Sequence, residues 1–130
     1  METPNSIIQG KDISYNRIML ENKKTKSLIL NHKIGKDTFK QRDSGLNHVL
    51  CKIARDNNIT FLIDMDELNQ EKQKDKKERA KILSRIIQNI KLIRKFKNKL
   101  KIINSKDKYS AFSFLITLGL PNNQAKEAIK

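Results

Sequence analysis

Residues 59–65, ITFLIDM, are apolar at nearly every position, and segments of helical period lie on either side of them. A strand that is apolar on both of its faces needs cover on both, which is the habit of parallel strands inside an α/β sheet. Helical crossovers supply that cover, because they carry the chain back so that each new strand enters in the same direction. This run therefore directs the chain toward an α/β fold.

The remaining segments fit that scheme. SIIQ (6–9) predicts a short strand, ISYNRIMLENK (13–23) a short helix, and SLILNH (27–32) a second strand. A lysine-rich loop, KIGKDTFKQRD, follows. Ser44 is the expected cap of a helix over 45–56, where Leu46, Val49, Leu50, Ile53 and Ala54 recur at helical spacing and Asn57-Asn58 ends the run. After ITFLIDM, residues 66–78 read as a polar loop or frayed helix start. The helix proper reaches about Phe96, with Ala80, Leu83, Ile86, Ile87, Ile90 and Ile93 as its apolar stripe. LKIIN (100–104) predicts a fourth strand, YSAFSFLITLG (109–119) a helix, and Pro121-Asn122 the start of a last one through Ala128. The expected architecture is one domain over 1–130: a parallel sheet of about four β-α units.

Charge narrows the function. Lys and Arg number 28 against 14 Asp and Glu, a net charge of +14 with a pI near 10.0. Such a surface suits a polyanion, nucleic acid before membrane; the alternative is a merely solvated lysine-rich surface. Residues 72–101 hold thirteen Lys or Arg against Asp75 and Glu78. Helix surfaces usually mix signs to gain i,i+4 pairs, so a face this one-sided reads as a binding face. Aromatics are few: Tyr15, Phe39 and Tyr109 are candidates for stacking, while Phe61, Phe112 and Phe114 read as core. Single-strand binders interleave several exposed aromatics with basic residues. Contacts to the phosphate backbone and to RNA shape fit this chain better than base readout. No apolar run approaches the ~20 residues of a membrane span.

The chemistry-bearing residues are sparse. Cys51 stands alone, on the apolar side of a predicted helix, and reads as a small buried hydrophobe. A single cysteine and no secretory signal point to the cytoplasm. His32 and His48 are the only histidines. With Asp64 or Asp66 they would be the raw material of a metal site, but neither H-x-H nor H-E-x-x-H is present, so no metal ligand set is assigned. Asp43, Asp64 and Asp66 are candidate paired carboxylates, although aspartates at strand ends more often cap the next helix. Ser44-Gly45 at a helix start offers N–H groups to an anion, with Lys33, Lys36, Lys40, Arg42 and Lys52 around it. An ordinary N-cap among solvated lysines is the competing reading. No G-x-S-x-G, P-loop or G-x-G-x-x-G occurs, and no catalytic residue is assigned.

The segment RDSGLNHVLCKIARDNNITFLIDMDEL resembles the signature segment of archaeal ribonuclease P protein component 3, through Arg42, Asp43, Ser44, Gly45, Asn47, His48, Val49, Leu50 and Ala54. ISYNRIMLENKK resembles that family's Asn-Arg segment at Asn16, Arg17, Glu21, Asn22 and Lys23. RAKILSRIIQNIKLIRKFK resembles its long basic helix at Arg79, Ala80, Leu83, Asn89, Leu92, Lys95 and Phe96, and FLITLGLPNNQAKEAI its closing helix pair. The likeness keeps the family's order and covers its C-terminal half to two-thirds. Gln41 stands where many members have a basic residue, and the loop NSKDKYSAF lacks the usual Arg-x-Pro-x-Asp.

The resemblance implies a partial TIM-like half barrel, since four units cannot close eight strands. It also implies a non-catalytic subunit of ribonuclease P that binds and stabilises the catalytic RNA for 5′ maturation of precursor tRNA. The expected partners are that RNA, protein component 2 and other subunits, and precursor tRNA indirectly. An oligomer, or a polypeptide supplying the missing half barrel, would cover the open sheet. Mg²⁺ would accompany the RNA, with no cofactor in this chain. Lys40, Arg42, Lys52, Arg79, Arg85 and Lys91 are the expected RNA contacts, and Asp43, Ser44, Gly45 and His48 the turn and anion site. Two rivals remain: another basic RNA-binding module, for example ribosome-associated, and a metal-dependent phosphoesterase.

Overall fold

The computed structural model describes residues 6–33, 43–69 and 76–130. Four strands form one parallel sheet in sequence order: β1 (Ile7–Gln9), β2 (Ser27–Ile29), β3 (Thr60–Asp64) and β4 (Lys99–Ile103). The helices are α1 (Ile13–Glu21), α2 (His48–Asp56), the one-turn α3 (Asp66–Asn69), α4 (Lys76–Phe96), α5 (Lys108–Thr117) and α6 (Asn122–Ala128). This is the expected partial barrel, and it is not closed: β1 and β4 are the edges of the sheet.

Register explains how the two faces differ. Ile8, Leu28, Phe61 and Leu100 align across the strands, and with Leu30 and Ile63 they point into the core. The helices meet them with Leu20, Leu50, Ala54, Ile82, Ile86, Ile90, Ile93 and Leu115. Burying each large aliphatic or aromatic side chain of this set contributes roughly 1.5–3 kcal/mol. On the alternate positions the rows are Ile7, Ser27, Thr60, Lys99 and then Gln9, Ile29, Leu62, Lys101. Polar and exposed residues sit at both flanks of that face, and Leu62 on the central β3 is its buried middle.

Two expectations for the helices need correction. The helix after the 34–42 segment begins at His48, not at residue 45, and its cap is Asn47, whose Oδ1 accepts the Leu50 N–H at 2.9 Å. Ser44 is instead buried in the preceding turn. In α4 the inward stripe is Ile82, Arg85, Ile86, Asn89, Ile90 and Ile93, whereas Ala80 is exposed and Leu83 and Ile87 are only half-buried. A purely apolar reading of the period misses this shift, because two of the inward positions are polar.

Candidate nucleic-acid interface

At the C-terminal ends of the strands, buried polar side chains tie the loops to one another. The first tie is Asn16. Asp12 caps α1 by accepting the Tyr15 N–H at 2.8 Å, which places Asn16 one turn in and facing the sheet edge. Asn16 Oδ1 accepts from the Lys11 N–H at 2.8 Å, and its Nδ2 donates to the carbonyls of Lys11 at 3.1 Å and Gly45 at 2.9 Å. Gly45 adopts φ +84°, and a Cβ there would stand 3.3 Å from Asn16 Nδ2. Asp43 Oδ1 accepts the Gly45 N–H at 3.1 Å, so the Asp-Ser-Gly turn is held from both sides.

The second tie centres on His32, fully buried just past β2. Glu67 accepts the His32 backbone N–H at 2.9 Å and faces Nδ1 at 3.0 Å. Asn89 Nδ2 lies 3.0 Å from His32 Nε2 and 3.0 Å from the Ser44 carbonyl. One amide nitrogen carries two hydrogens, one for each acceptor. Nε2 therefore accepts, and the ring proton sits on Nδ1, directed at Glu67. Arg85 Nη1 donates to the His32 carbonyl at 2.8 Å. The network joins β2, the turn before α2, α3 and α4 in one buried cluster.

This geometry sorts the expected site residues. Asp43, Ser44 and Gly45 meet in the turn, as a scaffold more than as an open anion cradle. His48 is exposed at the first position of α2, and His32 is buried with both ring nitrogens engaged, so the two histidines play unrelated parts. Among the described residues no group of three or more His, Cys, Asp and Glu is placed to hold a metal ion. Asp64 Oδ1 accepts from the Asp66 N–H and from Asn104 Nδ2, both at 2.9 Å, which is the capping role rather than a carboxylate pair.

Arg85 is the one outright correction among the proposed RNA contacts: it is 4% exposed and belongs to the buried cluster. Arg79, Lys91 and Lys52 are exposed. Lys52 lies over the Phe96 ring at 6.0 Å, toward the far end of α4 and away from the Ser44 turn. Lys40 and Arg42 lie outside the described residues.

Arg85 and Asn89 touch the loops at the C-terminal edge of the sheet, so the turns of α4 before them extend past that edge. A 21-residue helix is about 31 Å long, against roughly 17 Å for a five-residue strand. The overhang presents Lys76, Lys77, Arg79 and Lys81, all exposed. The residues that position this surface, Asn16, His32, Glu67 and Asn89, do not stand out in the sequence as binding residues. The signals for them are the family resemblance at Asn16 and Asn89 and the polar residue at an inward position of α4, next to Ile86 and Ile90.

Fold and site together define a class: an open parallel β/α half barrel with polar-locked loops and a basic helix overhanging them. The chain is similar to one in a cryo-EM structure of archaeal ribonuclease P with mature tRNA. The TM-score is 0.72 at 26% identity, and the alignment covers 95% of this chain and 52% of that chain. The chain thus spans about half the length of the protein it matches. No family model matches the sequence, and no curated protein matches it.

Proposed function

We propose that the chain is a protein subunit of ribonuclease P, the counterpart of protein component 3, and that it binds and stabilises the catalytic RNA without performing chemistry itself. The observation that carries this reading is the structural match over nearly the whole chain to a ribonuclease P component. A second strand of support is independent of it. Asn16, Ser44, Gly45 and Asn89, which carry the sequence resemblance, are residues that the hydrogen bonds draw into one region at the sheet edge.

In this reading the lysines and arginines neutralise phosphates, and the locked loops keep those charges in a fixed arrangement. Mg²⁺ belongs to the RNA, and the partners are the catalytic RNA, precursor tRNA through it, and protein component 2. A partner polypeptide covers the open sheet from its β1 edge, leaving the β4 edge free. The test is reconstitution of precursor-tRNA cleavage with the cognate RNA and the other subunits, with and without this chain. The expected result is faster cleavage, or a lower Mg²⁺ requirement, when it is present, and no cleavage by the chain alone. Absence of both stimulation and RNA binding overturns the proposal. Metal-dependent cleavage by the chain alone, abolished by mutating His32 or His48, would establish the phosphoesterase instead.

A further inference from the structure

The strongest unassigned feature lies at the opposite end of the strands. A cleft of about 920 Å³ runs along the N-terminal part of β4, between the end of α4 and α6, and Thr60, Arg94, Lys97, Lys99, Lys101 and Gln124 are among its lining residues. The acid on its wall, Glu127, is bound at 2.8 Å by Lys130 Nζ. We propose that this cleft binds the phosphate backbone of the catalytic RNA, as a second contact separate from the loops at the C-terminal edge. The inference rests on the ribonuclease P reading above and adds a surface to it.

Three observations converge. First, the charge is segregated. The connections that lead from a helix into a strand carry Lys23, Lys24, Lys26 and Lys97 and no acid between the elements, though Glu21 and Asp56 end the helices before two of them, while those that leave a strand mix Lys11, Lys33, Lys36, Lys40, Arg42 and Lys106 with Asp12, Asp37, Asp43 and Asp107. The Thr60 N–H donates to the Lys26 carbonyl, which ties the connection into β2 to the start of β3.

Second, Lys99 and Lys101 alternate along β4 on the open face and are exposed, where they project beside each other into the cleft. Third, Lys97 holds φ +54°, a left-handed conformation that favours Gly or Asn. The other non-glycine residues of this kind among the described residues are Asn58 and Asn104. At Lys97 the fold carries a charge where an uncharged residue would be easier.

Simpler explanations cover parts of this. Lysines on an edge strand discourage pairing with other sheets, and cations near a helix end offset its dipole. Arg94 and Lys95 already fill the last turn of α4, so the dipole does not call for Lys97 as well. Edge protection does not call for Lys97, which is not in a strand. A phosphate backbone accounts for Lys97, Lys99 and Lys101 together. A basic lining without aromatics fits contact with backbone and shape, not with bases. A strand of five residues is roughly 17 Å long, so this cleft and the Ser44 turn would hold different parts of one RNA.

The experiment pairs RNA affinity with footprinting. Lysine acetylation of the wild-type chain is mapped by mass spectrometry, free and bound to the cognate ribonuclease P RNA. The expected result is protection of Lys97, Lys99 and Lys101. Lys99→Gln with Lys101→Gln, both at exposed positions, should weaken binding about tenfold and lower the log–log salt slope by roughly 0.7–0.9 for each phosphate no longer neutralised. Lys97→Gly relaxes the backbone while removing the charge. It should raise the melting temperature and weaken RNA binding, two changes that a purely structural lysine would not combine.

Equal acetylation with and without RNA, or unchanged affinity and slope in variants of a wild type that binds, overturns this inference and leaves the subunit reading standing. Protection by a precursor tRNA transcript but not by the catalytic RNA overturns it as well. A wild type that binds no RNA overturns both.

Discussion

Asn89 directs both hydrogens of its amide at buried acceptors, the His32 ring and the Ser44 carbonyl. Removing it leaves two buried acceptors unpaired, at about 1–3 kcal/mol for each unsatisfied group. Asn89→Ala should therefore lower the midpoint of urea unfolding clearly, with an unchanged m-value. Arg85→Ala should act in the same way, costing about 2–3 kcal/mol through the broken bond to the His32 carbonyl. An Arg85→Ala chain that unfolds like wild type but binds RNA poorly would return Arg85 to the interface. Cys51 supplies a pH signature. Burial pushes its thiol up to about 12, so the folded state holds this proton more tightly than the unfolded one. Above the unfolded thiol's ordinary range, near pH 8.5–9, the unfolded chain binds fewer protons, and stability falls by about 1.4 kcal/mol per pH unit from this group. Denaturant curves at pH 8, 9 and 10 should show a loss in wild type that is smaller in Cys51→Ala, which lacks the buried thiol. In the native state Cys51 should also resist iodoacetamide at pH 8, and rapid alkylation of the folded chain would contradict its burial.

At the scale of elements, β3 is legible as a nearly unbroken apolar run, and α1, α5 and α6 are legible through the capping or stop residues that bound them. Asp12 and Asp107 lie where caps belong, and Asp107, accepting from the Tyr109 N–H and then the Ser110 hydroxyl, is held below the usual carboxylate range. The start of α2 is ambiguous because Ser44 and Asn47 are both good caps, and only the turn geometry decides between them. Gly45 at φ +84° turns the chain, and Asn16 grips its carbonyl, so the helix is free to begin only after residue 46. Asn47→Ala should then cost about 1 kcal/mol through removal of the N-cap. If Ser44→Ala proved the more damaging at α2, with amide exchange rising through Val49 and Leu50, the assignment would fail. The stripe of α4 is harder to read. Arg85 and Asn89 break an apolar pattern for the sake of carbonyls and a ring on distant loops, and partners so far away in the chain leave no trace in local period. Glu67 gives no sequence signal, since its role depends on His32 reaching it across two strands.

At the scale of the molecule, a half barrel exposes both ends of its strands and two sheet edges, and this chain fills its exposed ends with charge of different character. The charged residues of the N-terminal connections are lysines, whereas the C-terminal connections mix signs and are overtopped by α4. The overhang of α4 should act by charge more than by shape, because Lys76, Lys77, Arg79 and Lys81 are exposed and follow one another on projecting turns. Lys91, on a later exposed turn, extends the same basic helix toward the middle of the strands. If these residues meet phosphates, Arg79→Ala and Lys91→Ala should each weaken binding about equally for RNAs of different sequence. Each should also reduce the log–log salt slope by about 0.7–0.9, with little change in thermal stability, since neither side chain is buried. The measurement is affinity across a salt series for the cognate RNA and an unrelated structured RNA. A slope that drops for Arg79→Ala and not for Lys91→Ala would confine the RNA to the overhang. Unchanged affinity and slope in both would leave the outer face of α4 solvated, and the RNA would then be held by the cleft at β4 and the loops around the Ser44 turn.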